Sequence, residues 1–281
     1  MSAPGAWAGL SAIVTGASGG IGEALAVQLA AGGARVALVA RRTDELERVA
    51  LRCRDAAGAG ADAGGPGSAP TAICLTCDVS DRAQCDAMVA EAVTRLGKLD
   101  LLVNNAGQGM WSRADEMKDL SVYDTMLRVN YLSVVWVTLA ALPHLKTSRG
   151  RILGVGSLSG KIGVPLRSGY GAAKHAMTGF LDALRIELVD AGVSVTMIHP
   201  GFVATGSQAR NLGPDGRALG AMPVKVGGLS AAECARMLLE AGHARRRDVY
   251  PGFRAKLALW LRLIAPDRLD AMTARAIKGR R

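Results

Sequence analysis

The stretch Ala12-Ile-Val-Thr-Gly-Ala-Ser-Gly-Gly-Ile-Gly22 joins a short apolar run to a glycine-rich turn, and an amphipathic segment follows over residues 21–31. A strand, a glycine turn and a helix in this order let the backbone approach a pyrophosphate closely. The N–H groups at the start of the helix would then face the phosphates. The spacing is G-x-x-x-G-x-G and departs from the general G-x-G-x-x-G fingerprint, so by itself the turn fits an ordinary connection equally well.

Outward from this turn, short apolar runs alternate with longer amphipathic segments. Such alternation predicts βαβ units, and therefore an α/β fold with a doubly wound parallel β-sheet of about seven strands and helices on both faces. Continuous apolar strands fit a sheet that is covered on both sides. The predicted strands are 12–14, 35–39, 72–77, 101–103, 151–155, 194–198 and 248–250, and the predicted helices include 21–31, 82–96, 120–145 and 170–188.

Length and composition limit the class of protein. The 281 residues exceed the usual ~100–200 of a domain, but α/β domains often reach about 250, so we expect one domain over residues 1–250 and a tail over 251–281. Apolar residues make up 49% of the chain, which excludes general disorder. No apolar run reaches the roughly 18 residues that cross a bilayer, and the first residues do not resemble a signal peptide. We therefore expect a cytoplasmic protein.

The net charge of +10 is concentrated near the C-terminus. Eleven Lys and Arg and only three acidic residues lie between residues 245 and 281, so that segment carries +8. With no interleaved aromatic platform, this charge does not indicate nucleic-acid binding. An apolar helical stripe crosses the tail, and it packs either on its own domain or a partner subunit, which we favour, or on a membrane surface with its cations near anionic headgroups. The stripe consists of Phe253, Leu257, Trp260, Leu261 and Ile264.

Neither the cysteines nor the histidines form a metal-binding pattern. Cys74 and Cys77 are spaced C-x-x-C, but they lie in a predicted strand, and no second pair or histidine cluster accompanies them. A structural zinc site needs four convergent ligands. We therefore expect no metal, and five cysteines in a chain of this length do not indicate a disulfide framework.

Three motifs in order along residues 10–205 resemble the short-chain dehydrogenase/reductase family. They are Thr15-Gly-x-x-x-Gly-Ile-Gly22, Asn104-Asn-Ala-Gly107 and Tyr170-Gly-Ala-Ala-Lys174, and further residues stand at the family's expected places, namely Asp78-Val79, Asn130, Ser157 and Pro200-Gly201. The resemblance implies a Rossmann-type fold and an oxidoreductase that uses a nicotinamide cofactor.

The end of the second predicted strand selects between two nicotinamide cofactors. An acidic residue there would bind the ribose 2′-hydroxyl of NAD, whereas arginine accommodates the 2′-phosphate of NADP. The sequence reads Leu38-Val-Ala-Arg-Arg42 without an acid, so it predicts NADP(H) rather than NAD(H), with a pair of solvated arginines as the alternative. Together with the roles that the resemblance implies, the predicted cofactor-binding residues are Gly16, Ser18, Gly20, Ile21, Gly22, Arg41, Arg42, Asp78, Val79, Asn105, Ala106, Gly107, Tyr170, Lys174, Pro200, Gly201, Val203 and Thr205.

Tyr170 and Lys174 lie four residues apart on a predicted helix, and therefore on one face of it. Tyrosine has a pKa near 10, and a nearby ammonium favours the phenolate, so we expect Lys174 to lower the pKa of Tyr170. Such a pair can give a proton to a ketone or take one from an alcohol. The resemblance adds Ser157, which would bond the substrate oxygen, and Asn130, which would anchor a water relay to Lys174. These four residues are the family's catalytic tetrad, while Gly156 stands where relatives commonly have a second serine.

The substrate is less well defined. The polar segment 206–228 is by the resemblance a lid over the substrate, although it also fits a packed surface loop. Residues 160–175 and 256–266 resemble the dehydrogenase/reductase member 7B-like subgroup, which has been linked to reduction of acyl- or alkyl-dihydroxyacetone phosphate, an anionic lipid ketone. In that case the basic tail would suit the substrate.

The leading hypothesis is an NADP(H)-dependent carbonyl reductase or secondary alcohol dehydrogenase with a small-molecule substrate. By the resemblance it would form a homodimer or homotetramer through helices 120–145 and 170–188. The competing hypothesis is a non-catalytic nucleotide-sensing or membrane-associated binding protein that keeps the fold. The intact tetrad argues against it, because a binding protein has no need of the Tyr/Lys pair.

Overall fold

In the computed structural model, which describes residues 5–58, 70–220 and 228–278, seven parallel strands form one sheet. These strands are β1 (Ser11–Thr15), β2 (Arg35–Ala40), β3 (Ala72–Thr76), β4 (Leu101–Asn104), β5 (Arg151–Val155), β6 (Ser194–Ile198) and β9 (Asp248–Val249). Two short strands between β6 and β9, β7 (Val203–Ala204) and β8 (Leu229–Ser230), pair with each other. Their order across the sheet is β3-β2-β1-β4-β5-β6-β9. The predicted α/β fold is therefore confirmed.

Helices cover both faces of the sheet. They are α1 (Gly20–Ala31), α2 (Thr43–Ala57), α3 (Arg82–Leu96), α4 (Ser121–Leu127), α5 (Ser133–Ser148), α6 (Ser168–Glu187), α7 (Ala231–His243), α8 (Phe253–Ile264) and α9 (Pro266–Lys278).

Neighbouring residues of a strand belong to opposite layers of the core. Val14 of β1 lies in the layer that contains Leu25 of α1 and Leu238 of α7. Ile13 lies in the other layer, with Leu181 of α6. Because successive strand side chains point to opposite faces, both must be apolar when helices cover both faces, which explains the continuous apolar strands.

The strand order reverses at β1, which pairs with β2 on one side and β4 on the other. In open parallel sheets, ligands bind beyond the carboxyl ends of the strands at such a reversal. The glycine turn follows β1 and the Asn105 segment follows β4, so the fold brings these two motifs together at that point.

The predicted helix 120–145 is confirmed as one helix over Ser121–Ser148, and it contains an irregularity that the sequence did not show. One π-helical turn, Arg128–Leu132, lies between α4 and α5. Within this turn, the Asn130 side chain donates to the carbonyl of Met126 at 3.0 Å and to that of Gln108 at 2.9 Å. Such π turns frequently occur at functional sites.

By length and composition alone, the stretch Ser121–Ser148 could cross a membrane. In the fold, α5 packs on α3, and Val134, Val137 and Leu145 are buried in the core layer. The stretch is therefore a core helix of the domain, as its buried face requires.

The end of β3 differs from the sequence prediction, and the predicted lid can be followed over part of its length. β3 ends at Thr76, so Cys77 follows the strand instead of belonging to it. Of the predicted lid, residues 206–220 are described and begin with a 3₁₀ turn over Ser207–Arg210. Residues 221–227 lie outside the described residues.

The tail forms α8 and α9, and four of the five residues of its predicted apolar stripe are exposed, whereas Leu261 is partly buried. Ala255 and Ala258 of α8 are buried, the second together with Leu269 of α9 and Ile162 in the segment after β5. Of the stripe, only Leu261 packs on the domain, because the small alanines let the α8 backbone approach it most closely, and packing of the stripe on a partner subunit stays a prediction. The exposed stripe residues are Phe253, Leu257, Trp260 and Ile264.

Candidate active site

The glycine turn lies against the segment that follows β4. The hydroxyl of Thr15 accepts hydrogen bonds from the N–H groups of Asn105 at 3.0 Å and Ala106 at 3.1 Å. The Asn105 side chain donates to the carbonyl oxygens of Thr15 at 2.9 Å and Gly16 at 3.2 Å. A Cβ at Gly22 would lie 2.2 Å from the Gly16 carbonyl oxygen, so only glycine fits there. The two predicted motifs form one interlocked unit.

The outer side of the turn is open. α1 begins at Gly20, and Gly19 supplies no side-chain cap, so the first N–H groups of the helix have no capping partner. A Cβ at Gly19 would meet nothing within 4 Å. Thr205 lies beside this opening, since a Cβ added at Gly20 would be 3.1 Å from the Thr205 Cβ. This arrangement fits a pyrophosphate, because unpaired N–H groups at a helix start bind anions.

Two arginines follow β2 at its carboxyl end. Arg42 donates to the hydroxyl of Ser18 in the glycine turn at 3.3 Å and also pairs with Glu45. The Arg41 guanidinium lies 3.8 Å from the Asp78 carboxylate. Both cations are exposed beside the turn, where the adenosine ribose of a dinucleotide would lie in this fold.

The other predicted cofactor-binding residues lie at the same edge of the sheet. Asp78 and Val79 come after β3, and Pro200 and Gly201 come after β6. Val203 is buried in β7. The fold thus brings the predicted set together from five separate strand ends.

Tyr170 and Lys174 lie in the first two turns of α6. Lys174 is 3% exposed, and its ammonium donates to the carbonyl of Val155 at 2.9 Å. The Lys174 Nζ lies 6.0 Å from the centroid of the Tyr170 ring. Burial lowers the pKa of Lys174 to about 8, because a desolvated ammonium loses its proton more easily.

Burial raises the pKa of Tyr170. Two groups oppose this effect, first the positive charge of Arg167 and then a hydrogen bond from Ser157, since both favour the phenolate. The pKa of Tyr170 is thus raised in this structure, and the lowering that the sequence predicted is outweighed by burial. The Lys174 ammonium is directed to the Val155 carbonyl, and Arg167 adds a second positive charge near the ring.

Ser157 and Asn130 approach this pair from different elements. Ser157 follows β5, and its oxygen accepts the N–H of Ser159 at 3.2 Å. Asn130 is fully buried, and its oxygen accepts the N–H of Gln108 at 3.2 Å. A Cβ at Gly107 would lie 3.0 Å from the Asn130 oxygen and 3.9 Å from the Lys174 Nζ. Asn130 thus fixes the Gln108 backbone beside the lysine, and its water relay stays a prediction.

Sequence reasoning missed Arg167. Its guanidinium lies 5.1 Å from the centroid of the Trp111 ring and 5.6 Å from that of Tyr170. The preceding residue, Leu166, has a φ of 66°, and its carbonyl accepts the N–H of Ser112 at 3.0 Å. A non-glycine residue in this region is strained, and such strain clusters at functional sites. Its position three residues before Tyr170 was the available signal.

A second missed feature lies directly behind Ser157. His199 is fully buried, stacks on Tyr250 and bonds the Asp248 carboxylate through Nε2 at 2.8 Å. Burial lowers the pKa of His199, so its ring is neutral and Nε2 donates. A Cβ at Gly156 would lie 2.9 Å from His199 Nδ1. The imidazole therefore occupies the space that a serine at this position would need.

The cysteines lie apart from this site. Cys77 contacts Cys85 behind β3, and Cys74 is partly exposed on that strand. Within the described ranges, no group of three or more His, Cys, Asp or Glu side chains could hold a metal ion.

Residues 11–213 match the family model described as short chain dehydrogenase. A similar protein from Arabidopsis thaliana, 11-beta-hydroxysteroid dehydrogenase-like 4A, is 36% identical over 92% of this chain and 81% of its own length. Dehydrogenase/reductase SDR family member 7B of Mus musculus is 32% identical over 96% of this chain and 82% of its own.

A solved structure shares the fold. The alcohol dehydrogenase from the archaeon Thermococcus sibiricus, complexed with 5-hydroxy-NADP, superposes with a TM-score of 0.71 at 29% identity. The match covers 86% of this chain and 95% of that one.

Proposed function

The chain belongs to the short-chain dehydrogenase family, and we propose that it is an NADP(H)-dependent oxidoreductase that interconverts a carbonyl group and a secondary alcohol. The observation that carries the proposal is the cluster of Ser157, Tyr170 and Lys174 at the carboxyl end of β5, on the same sheet edge as the open glycine turn. This arrangement supports proton transfer next to a bound dinucleotide.

Tyr170 gives a proton to the carbonyl oxygen in reduction and takes it from the alcohol in oxidation. Ser157 bonds the same oxygen and holds it at the tyrosine. The charge of Arg167 favours the phenolate, so it assists the oxidative direction. Lys174, with a pKa of about 8, would pass the proton between Tyr170 and a water held at Asn130, through which it is exchanged with solvent. The cofactor, when bound, supplies or accepts the hydride.

Two features support NADP(H) over NAD(H). Arg41 and Arg42 follow β2 with no acidic residue between the strand and α2, and the Arg42–Ser18 contact sets a guanidinium and a hydroxyl side by side. A guanidinium can bind a phosphate through two parallel hydrogen bonds. The structural relative carries an NADP derivative, which agrees with this choice.

The test of the reaction is Tyr170→Phe, which keeps the ring and removes the proton donor. We expect turnover with a panel of ketones to fall by about 10²–10⁴-fold, because proton transfer by a positioned side chain contributes that much. NADPH affinity should stay almost unchanged, because the substitution removes only the hydroxyl group. Tyr131→Phe, whose ring lies against Phe180, is the matched control and should keep full turnover. A Tyr170→Phe protein as active as wild type would remove the tyrosine from the mechanism.

The cofactor choice is tested by titrating the protein with NADPH and NADH and following cofactor fluorescence. We expect Arg41→Gln/Arg42→Gln to weaken NADPH binding by about tenfold or more, as hydrogen bonds to charged groups are worth about 1.5–3 kcal/mol, and to leave NADH binding nearly unchanged. Arg82→Gln, an exposed arginine paired with Asp86, is the control. A preference of wild type for NADH would overturn the assignment.

The proposal includes a homodimer or homotetramer formed through α4–α5 and α6, and cytoplasmic location with a peripheral membrane contact. Exposed Leu139, Ile186 and Val189 on and beside these helices support an interface. The substrate would be a small carbonyl compound. The exposed basic and apolar side chains of the tail favour an anionic lipid ketone among such compounds.

A further inference from the structure

Helix α8 of the tail contacts the domain mainly through its alanines rather than its large apolar side chains, the reverse of an ordinary amphipathic helix. Ala255 and Ala258 face inward, and most of the large apolar side chains of α8 face solvent, while Leu259 and Leu261 are partly buried. Phe253 is 76% exposed, Trp260 66% and Ile264 71%. An α-helix has 3.6 residues per turn, so residues 253, 257, 260 and 264 form one continuous stripe opposite the alanines. We call this stripe, with the adjacent Leu263, the tail face.

Exposed large apolar side chains are concentrated on the tail. Of the thirteen large apolar side chains that are exposed in the described ranges, six lie between residues 253 and 272, and five of these form the tail face. Scattered exposed apolar residues need no explanation, but a contiguous patch indicates a binding surface.

Cations flank the tail face on both sides. Arg254 and Lys256 are exposed on the two flanks of the stripe, and Arg262 lies farther round the helix. In the part of the chain that the structure describes, none of the three has an acidic partner. α8 contains no acidic residue. Long cationic side chains can extend past an apolar face and keep their charges in a polar layer.

We propose that the tail face binds the surface of a lipid bilayer that contains anionic headgroups. The apolar side chains would enter the acyl boundary, and Arg254 and Lys256 would lie at the headgroups, which is the arrangement of an interfacial helix. A second copy of the chain fits this surface poorly. A two-fold contact through α8 would bring the cations of both copies together with no acidic residue on the helix to offset them.

The binding surface is linked to the active-site side of the domain. Ala258 and Leu269 are buried with Ile162, and Leu158 and Val164 pack on the same cluster. Leu158, Ile162 and Val164 lie between Ser157 and Tyr170 in the sequence. Bilayer binding would thus occur on helices that rest directly on the segment joining the two catalytic residues.

The test is sedimentation of the purified full-length protein with phosphatidylcholine vesicles, with and without phosphatidylserine. We expect binding to the anionic vesicles that weakens as salt rises, since the Debye length falls from about 10 Å at 0.1 M to about 3 Å at 1 M. Phe253→Ser/Trp260→Ser should lower the partition coefficient about tenfold or more, because two large side chains no longer leave water. Arg254→Gln/Lys256→Gln should lower binding to the anionic vesicles alone.

Leu51→Ser removes an exposed side chain on α2 and is the matched control, with wild-type binding expected. Equal binding by wild type and Phe253→Ser/Trp260→Ser would overturn the proposal, as would no binding to either vesicle. Sedimentation velocity without lipid tests whether a second copy of the chain covers the tail face. If the double variant dissociates an oligomer and neither protein binds vesicles, a second copy covers the tail face and the bilayer does not. Because vesicle binding needs no turnover, this test is independent of the proposed reaction.

Discussion

Replacing Lys174 by methionine should change how the stability of the protein depends on pH. The folded chain buries an ammonium whose pKa falls from 10.5 to about 8. Between these two values, the unfolded chain binds a proton that the folded chain has released. The free energy of unfolding of wild type must then rise with pH in this window, and the variant lacks this contribution.

The size of the effect follows from the shift. Since one pKa unit corresponds to about 1.4 kcal/mol, the charged lysine costs the folded state about 3 kcal/mol near pH 7 and only about 1 kcal/mol near pH 10. No allowance for solvent screening is needed, because the side chain is 3% exposed. Loss of the hydrogen bond to the Val155 carbonyl adds an offset that does not depend on this titration. The stability difference between variant and wild type should therefore shift by about 2 kcal/mol across this range.

The assay is urea unfolding of both proteins without cofactor at several values between pH 7 and pH 10, followed by tryptophan fluorescence. Lys146→Met, which removes an exposed lysine near the end of α5, is the control and should give a nearly constant difference. Parallel curves for wild type and Lys174→Met would refute the reasoning, because the ammonium would then be as well solvated in the fold as in the unfolded chain.

Two further predictions follow from contacts in the site. Arg167→Gln should raise the pKa of Tyr170 and move the acidic limb of the kcat/KM profile for alcohol oxidation to higher pH, whereas Arg113→Gln, paired with Asp115 at the surface, should leave that profile in place. An unshifted Arg167→Gln profile would exclude the electrostatic role. Gly22→Ala should cost about 1–3 kcal/mol of stability through overpacking and weaken NADPH binding, while Gly179→Ala, with nothing within 4 Å, should be neutral or stabilising by thermal melting.

The sequence predicted the sheet well because each strand carries its own signal. Runs such as 151–155 and 194–198 are mostly apolar, and their observed bounds agree with the prediction. The glycine turn and the Asn105 segment were also identifiable, since close backbone approach restricts which residues can stand there. The residues at the strand ends could thus be selected from local patterns alone.

The missed features depend on contacts between distant segments. The π turn at Asn130 forms because the side chain bonds Gln108, a residue on another segment that no helical period reveals. The guanidinium of Arg167 lies over the ring of Trp111, which is more than fifty residues away in the sequence. For the tail, periodicity located the apolar stripe correctly, but it could not show that two alanines on the opposite side would decide the packing.

The contact between Gly156 and His199 constrains how this chain can diverge from its relatives. With the imidazole held by Asp248 and Tyr250, a serine at position 156 would meet the ring at 2.9 Å and the Ile198 carbonyl at 3.0 Å. A serine introduced alone would therefore be selected against, whereas the same change after His199 has become smaller would meet only the carbonyl. The two positions are epistatic, and the order of substitution decides which evolutionary paths between this chain and serine-bearing relatives remain open.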